Sequence, residues 1–501
     1  MTLGAAETEA ARLGATATRP LRRLTRDFAV YGVGVIVVKA FSIITIPIYT
    51  HVFTPEQFGV LSYVTTLGGL LGAVLVLGGD SAFARFFFEA RTHEARQLIA
   101  STWIGFLAAW SIALSLLLLP FAGLIASSSF GDTETTPLFV VVLLTGPLAL
   151  VNRMCAEVLR NEFRSAAFTI LNVVSTLLLI GFAVFAVVVL RLGLVGVLLG
   201  TLAAELVMLP FRLWTARSMF RLKFSLKLLR QLLSFGIPLV PTSLAYWVFL
   251  TSDRLILGNL STLQQLGLYS VANSLVGLAT IVVYAFGQAW SPHSIRLYEE
   301  ERASAPMVYG RVMTYLLAGF GMVAVGITAF GPELLRLLTR SAYYGASAAI
   351  APLAIALVAM ATTQITAGGI TLVKRTKYLA IYAWVAAAIN VVLNLVLDRP
   401  FGMLGAAWAT AVAYVGLTLM YLVSSQRLWP VSYEVRRSGT LVGLILAFTF
   451  GAGFLPSGFQ LPIIAAKIGF CLAFIAAAVV LRAVDGREVA AARVVMARIR
   501  R

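Results

Sequence analysis

Residues 54–62 read TPEQFGVLS, and residues 262–270 read TLQQLGLYS. Thr, Gln, Gly and Ser recur in register, 208 positions apart. Further echoes follow in the same order. Asn172-Val-Val returns at Asn390, and Gly193-Leu-Val-Gly196 with Thr201 returns as Gly402-Met-Leu-Gly405 with Thr410. Arg212-Leu-Trp214 returns as Arg427-Leu-Trp429. Ordered self-similarity of this kind marks a duplicated half of roughly 210 residues. In a membrane protein, parallel repeats set two bundles around a central pathway, which points toward transport.

The membrane assignment rests on composition. Hydrophobic residues make up 60% of the chain and charged residues 12%, with a mean hydropathy of +0.91. That balance leaves too little polar surface for a dispersed soluble protein. Apolar runs long enough to cross a bilayer as helices recur at 28–50, 58–82, 98–126, 137–154, 166–190, 192–211, 233–252, 266–290, 308–330, 347–370, 378–397, 402–424, 439–456 and 460–481. The pattern predicts an all-α polytopic protein of about fourteen spans. The alternating apolar pattern of a membrane barrel is absent.

Lys and Arg orient the spans. With both termini inside, the outer connections hold only Arg191, Arg254, Arg336, Arg340 and Arg399. Lys39 and Lys467 fall deep inside apolar runs, and every other Lys and Arg falls in a tail, in an inner connection or, as Arg153 and Arg311 do, at the inner end of a run. This asymmetry predicts a multi-pass protein with both termini cytoplasmic. The net charge of +18 is then a set of loop cations facing anionic lipid headgroups, not a nucleic-acid footprint. The tail from Val489 to Arg501 spaces Val, Ile and Arg like a surface-lying amphipathic helix, or else like a disordered basic tail.

Several chemistries are set aside. No phosphate-binding GxxxxGK[ST] loop and no HExxH motif occurs, and His51, His93 and His293 lie far apart. Nothing resembles a nucleophile with its base, so the chain reads as a non-enzyme with no organic cofactor. Cys155 and Cys471 read as ordinary buried thiols.

Polar groups inside apolar runs are the functional leads. Lys39 lies about eleven residues into the first run, too central to snorkel, and reads as functional and inward-facing. Glu205 is central in the sixth run, opposite Tyr414 in the repeat. It reads equally as a protonated carboxyl bonded to a neighbouring helix or as a proton carrier. Asp253-Arg254 near the outer end of the seventh run has Thr45 and Ile46 as counterparts, so this charged pair belongs to one half only; a plain interfacial pair is the competing reading. Asn172, Asn390 and Asn394 read as interhelical hydrogen-bonding residues, and Gly196 and Gly405 as close packing points. Asp80 and Arg85 read as structural, fixing a loop at the membrane face. Pro47, Pro238 and Pro241 are expected to bend the first and seventh spans, equivalent elements of the repeat.

These residues carry a family resemblance. SDRLILG at 252–258, LGLYS at 266–270 and FGQAWSP at 286–292 resemble the start of the second half in bacterial polysaccharide-biosynthesis membrane proteins. NVVLNLVL at 390–397 with GMLGAA at 402–407 and Thr410, FTPEQFG at 53–59 and ARFFFE at 84–89 fit the same family. The chain thus resembles the Wzx-type oligosaccharide flippases of the multidrug/oligosaccharidyl-lipid/polysaccharide exporter superfamily over roughly residues 25–480.

The resemblance implies two pseudo-symmetric six-helix lobes plus two C-terminal helices. The expected parts are a tail at 1–27, an N-lobe at 28–213, a linker at 214–232, a C-lobe at 233–425, the last two helices at 426–482 and a tail at 483–501. It implies movement of a polyprenyl-diphosphate-linked oligosaccharide from inner to outer leaflet by alternating access. Lys39, Arg254 and Asn390 become the substrate-binding candidates, with Lys39 first to meet the diphosphate. Glu205 and Asp253 become the ion-coupling candidates, for H+ or Na+. Expected partners are the lipid-linked oligosaccharide, anionic membrane lipids and a polysaccharide polymerase or export machinery. The alternatives are a lipid II flippase and a multidrug exporter.

Overall fold

The computed structural model describes residues 44–221 and 223–483. Lys39, most of the first expected span and nearly all of both tails lie outside the described residues. No strand occurs among the described residues.

The helices are α1 (44–52), α2 (Pro55–Leu75), α3 (Gly79–Glu89), α4 (His93–Leu118), α5 (Ala122–Phe130), α6 (Thr136–Asn161), α7 (Ser165–Val184) and α8 (Gly193–Ala216). They continue with α9 (Leu226–Gly236), α10 (Val240–Leu260), α11 (Leu263–Gly277), α12 (Thr280–Glu300), α13 (Ala305–Leu338) and α14 (Ile350–Thr366). The last are α15 (Gly368–Leu372), α16 (Lys377–Phe401), α17 (Met403–Leu428), α18 (Val435–Gly451) and α19 (Leu461–Val480). Among the described residues twelve stretches are long and apolar enough to span a bilayer, or thirteen with α11 and α12 taken as one span bent by 40°. Each corresponds to one expected run from the second to the fourteenth. Pro238 sits in the 3-10 turn Ile237–Leu239 that separates α9 from α10, where the seventh span was expected to bend.

By compactness the described chain divides into two units. One holds residues 44–45 and 74–240, the other 46–73 and 241–483. In the first unit α8 packs against α6 and α7, and α4 against α6. In the second, α17 packs against α14 and α16, and α13 against α14 and α18.

The segment expected as a linker is fastened to the first unit. Its Arg221 amide donates to Ser101 Oγ (2.7 Å), and its Ser225 amide donates to Thr102 Oγ1 (3.2 Å). Ser225 caps α9, which buries Leu229 and Leu232 and packs on α3 and α4. Asp80 pairs with Arg153, and Arg85 with Glu89, matching the structural role expected for both.

The four shared residues of the opening echo each have a use, and all of them fall in the second unit. Thr54 and Gln57 form a capping box, with Gln57 N donating to Thr54 Oγ1 (3.3 Å) and Thr54 N to Gln57 Oε1 (3.1 Å). Thr262 caps α11 likewise through Gln265 N, but Gln265 Oε1 accepts instead from the Met403 amide at the start of α17. Gly59 and Gly267 allow a close helix approach. A Cβ at Gly59 would overlap the Leu263 carbonyl, and one at Gly267 would overlap the Pro55 carbonyl. Pro55 and Leu263 are themselves repeat-mates, so the contact has local two-fold symmetry. Ser62 and Ser270 close it with a hydroxyl–hydroxyl hydrogen bond of 2.7 Å.

Candidate functional site

Each half of the repeat buries one polar cluster among apolar helices. The second half's cluster begins on α10. Asp253 is 5% exposed. Its Oδ1 accepts from the Arg254 amide (2.8 Å), and its Oδ2 accepts from the Tyr269 hydroxyl on α11. Thr410 on α17 lies 3.4 Å from that hydroxyl and also hydrogen-bonds the Asp253 carboxyl.

α16 supplies the other wall. Asn390, Asn394 and Asp398 recur every four residues, which sets them on one face of the helix. All three are buried, Asp398 completely. Asn394 Nδ2 donates to Asn390 O (2.7 Å) and Asn390 Oδ1 (3.1 Å), and Ser252 reaches Asn390 Oδ1 from α10 at 3.5 Å. Both Asp398 carboxyl oxygens and Asn394 Oδ1 lack hydrogen-bond partners. Asp398 is near enough to Asp253 for the two carboxyls to repel.

Two carboxyls in one desolvated site, with only the charge of neighbouring Arg254 acting on Asp253 and no ion pair to either among the described residues, are unfavourable unless a proton or metal cation joins them. The oxygens offered come from Asp, Asn and Thr. That set suits a hard monovalent cation or a proton. No group of three or more His, Cys, Asp and Glu occurs among the described residues, so a tightly ligated divalent metal does not fit.

The first half's cluster has the opposite character. Asn152 on α6 donates to Glu205 Oε2 (2.6 Å) and to the Glu205 carbonyl (2.9 Å) on α8. Arg212, two turns along α8 and 6% exposed, donates to Asn152 O (3.1 Å) and to Asn172 Oδ1 on α7 (3.0 Å). Glu205 and Arg212 attract one another. This cluster carries its own counter-charge.

The ion-coupling candidates Glu205 and Asp253 thus sit in different clusters, and Asn390 lies inside the second. Its buried place and its contact with Ser252 on α10 match the interhelical bonding expected of it, as does the Arg212 bond for Asn172, whereas Asn394 bonds within its own helix. Arg254 is half-buried, with a buried Nε that has no hydrogen-bond partner. Gly405 is a packing point, since a Cβ there would overlap the Leu397 carbonyl on α16.

Asp398 is the site residue that the sequence pattern concealed. The eleventh span was expected to end at 397, whereas α16 runs to Phe401 and draws Asp398 into its buried last turn. The signal was the four-residue spacing from Asn390 through Asn394 to Asp398. Lys467 gains an assignment too. Its Nζ pairs with Glu333 Oε2 (2.6 Å) and donates to Ala329 O (2.7 Å), while Glu333 Oε1 accepts from the Gly458 amide (2.9 Å). Every charged atom of that buried pair is satisfied, as a structural staple between α13 and α19 requires.

Comparison with known proteins gives a consistent picture. Residues 24–298, more than half of the chain, match the family model described as polysaccharide biosynthesis protein, and residues 238–396 match the MatE model. The succinoglycan biosynthesis transport protein ExoT of Rhizobium meliloti (strain 1021) is 26% identical over 297 residues, which span 56% of this chain and 56% of that protein. Among solved structures, the inward closed conformation of the lipid II flippase MurJ aligns with a TM-score of 0.71 at 14% identity, covering 89% of this chain and 97% of the other. An inward-facing multidrug resistance transporter of the MATE family aligns with a TM-score of 0.66 at 16% identity, covering 81% and 96%.

Proposed function

The chain belongs to the polysaccharide biosynthesis protein family, within the superfamily that also holds the MATE transporters, and from that premise we propose that this transporter flips a polyprenyl-diphosphate-linked oligosaccharide from the inner to the outer leaflet of the bacterial plasma membrane. The family match over residues 24–298 is the observation that carries the proposal. Both termini are cytoplasmic in this reading, as the Lys and Arg distribution favours. A diphosphate and sugars are very costly to place in hydrocarbon, so the headgroup travels through a hydrated path while the lipid tail stays in the bilayer. Lys39 meets the diphosphate, and Arg254 assists it.

With no nucleotide-binding motif, the drive is an ion gradient, the membrane potential or consumption of the product outside, and an ion would act at the second-half cluster. Asp253 is one of the two coupling residues expected from the sequence, with Glu205. Thr410 joins it through the Tyr269 hydroxyl that both meet, and Asp398 through the repulsion between the two carboxyls. Binding of one H+ or Na+ halves the charge of the carboxyl pair and removes the repulsion between the two, and release restores it. The two charge states favour different packings of α10, α16 and α17, and such a differential is what an ion needs to shift a conformational equilibrium.

The test is a deletion strain analysed by mass spectrometry of its lipid-linked repeat units. Accumulation of these units in the inner leaflet, cured by the wild-type gene and not by Lys39→Ala at equal membrane expression, supports the reading. Unchanged polymer together with raised dye sensitivity overturns it in favour of drug export, the alternative that the MatE match over residues 238–396 favours.

A further inference from the structure

A groove of about 940 Å³ runs between α13, α14, α17 and α18, all within the second unit. It shares no residue with the acidic cluster. Its walls are mostly Leu, Val, Ile and Ala side chains, and Leu419, Val423 and Val442 along it are about half exposed to the surroundings. On a chain that spans a membrane, those surroundings are acyl chains.

The groove is not uniformly apolar. At the end near the α17–α18 connection it is lined by Arg427, Tyr433 and Ser438. The Tyr433 hydroxyl and Ser438 Oγ are buried and have no hydrogen-bond partner. In an apolar setting such donors call for an acceptor. The adjacent acid is already engaged, since Glu434 binds Arg437 (2.9 Å) and the Thr314 hydroxyl (2.7 Å). Arg427, exposed at the mouth, forms no ion pair among the described residues, and Arg436 adds a second cation on the same connection. The mouth is therefore cationic and rich in donors.

Length narrows the occupant. From Arg427 to Val415 at the deep end, α17 rises about 18 Å, close to half the hydrocarbon thickness of a bilayer. One leaflet's acyl chain fits that depth, with its headgroup at the mouth. We propose that this groove is a binding site for one anionic glycerophospholipid, its acyl chain along the apolar wall and its phosphate held by Arg427, Tyr433 and Ser438. The site is independent of the transported substrate. A lipid held there fills the space between α18 and the helices α13, α14 and α17, and so ties α18 to the second bundle.

Native mass spectrometry of the full-length protein, titrated with phosphatidylglycerol or phosphatidylcholine, tests the proposal. The wild type should retain one phosphatidylglycerol in preference to phosphatidylcholine. Arg427→Gln should weaken that retention about fivefold, the usual worth of one basic residue near anionic lipid. Val442→Trp, which fills the groove from an exposed position, should abolish it. Arg375→Gln, an exposed cation on another connection, should leave it unchanged, and thermal melts check that all three variants fold. Equal loss in Arg427→Gln and Arg375→Gln would mean diffuse attraction and overturn the site. Retention by Val442→Trp, or displacement of phosphatidylglycerol by equimolar polyprenyl phosphate, would overturn it as well.

Discussion

The first-half cluster of Glu205, Asn152, Arg212 and Asn172 and the second-half cluster of Asp253, Asp398, Asn390 and Asn394 share one pair of repeat-mates, Asn172 and Asn390, and differ in how their charges are balanced. The first contains its own cation. Arg212 spans α6, α7 and α8 through Asn152 and Asn172 and offsets the charge of Glu205. The second has two carboxyls, three oxygens without partners, and one neighbouring cation, Arg254, whose charge acts on Asp253 with no ion pair to either carboxyl among the described residues. A cluster whose charge is already offset gains little from an ion. A cluster short of one counter-charge changes with every ion that arrives or leaves. In the proposed reading the first bundle is fixed and the second responds to an ion.

The strongest way to break this comparison is Asp398→Asn. The shape is kept and one charge is lost, so transport should fall to the level of the empty vector, measured as lipid-linked repeat units flipped in vesicles. Full activity in that variant would remove the coupling site. Next in size is Asn394→Lys, which gives the second cluster the internal cation that the first one has. The purified variant should fold, and its melting temperature should no longer respond to Na+ or to pH, whereas that of the wild type should rise with the ion. A persisting ion response would show that the ion sits elsewhere.

Arg212→Ala attacks the first cluster. It leaves Glu205 without its cation and Asn172 Oδ1 without a donor, a defect that typically costs about 3–5 kcal/mol. Thermal unfolding should show the loss, with no change in ion dependence. The smallest effect is expected from Glu205→Gln, which keeps an acceptor for Asn152 and should cost about 1 kcal/mol. Its transport should stay near wild type. A collapse of transport there would move the coupling site into the first half.

The membrane spans were legible because burial in lipid demands long apolar runs, and the duplication was legible because caps, close glycines and paired serines need particular residues. Asp398 was missed for a physical reason. A helix end cannot be read to within a turn, and four residues decided whether that carboxyl belonged to a loop or to the core. Neither the Arg212 network nor the Lys467–Glu333 pair was visible in the sequence, since each joins residues from 40 to 138 positions apart whose meeting depends on how helices pack. Asn152 gave no signal at all within its apolar run.

The reciprocal contact of Gly59 with Leu263 and of Gly267 with Pro55 is isologous, the geometry of a symmetric homodimer. A half-length ancestor presenting that helix end already had a surface complementary to its own copy. Gene fusion then made a permanent partner of a transient one, and only after that were the two copies free to diverge, one burying Arg212 near Glu205 and the other burying Asp253 and Asp398.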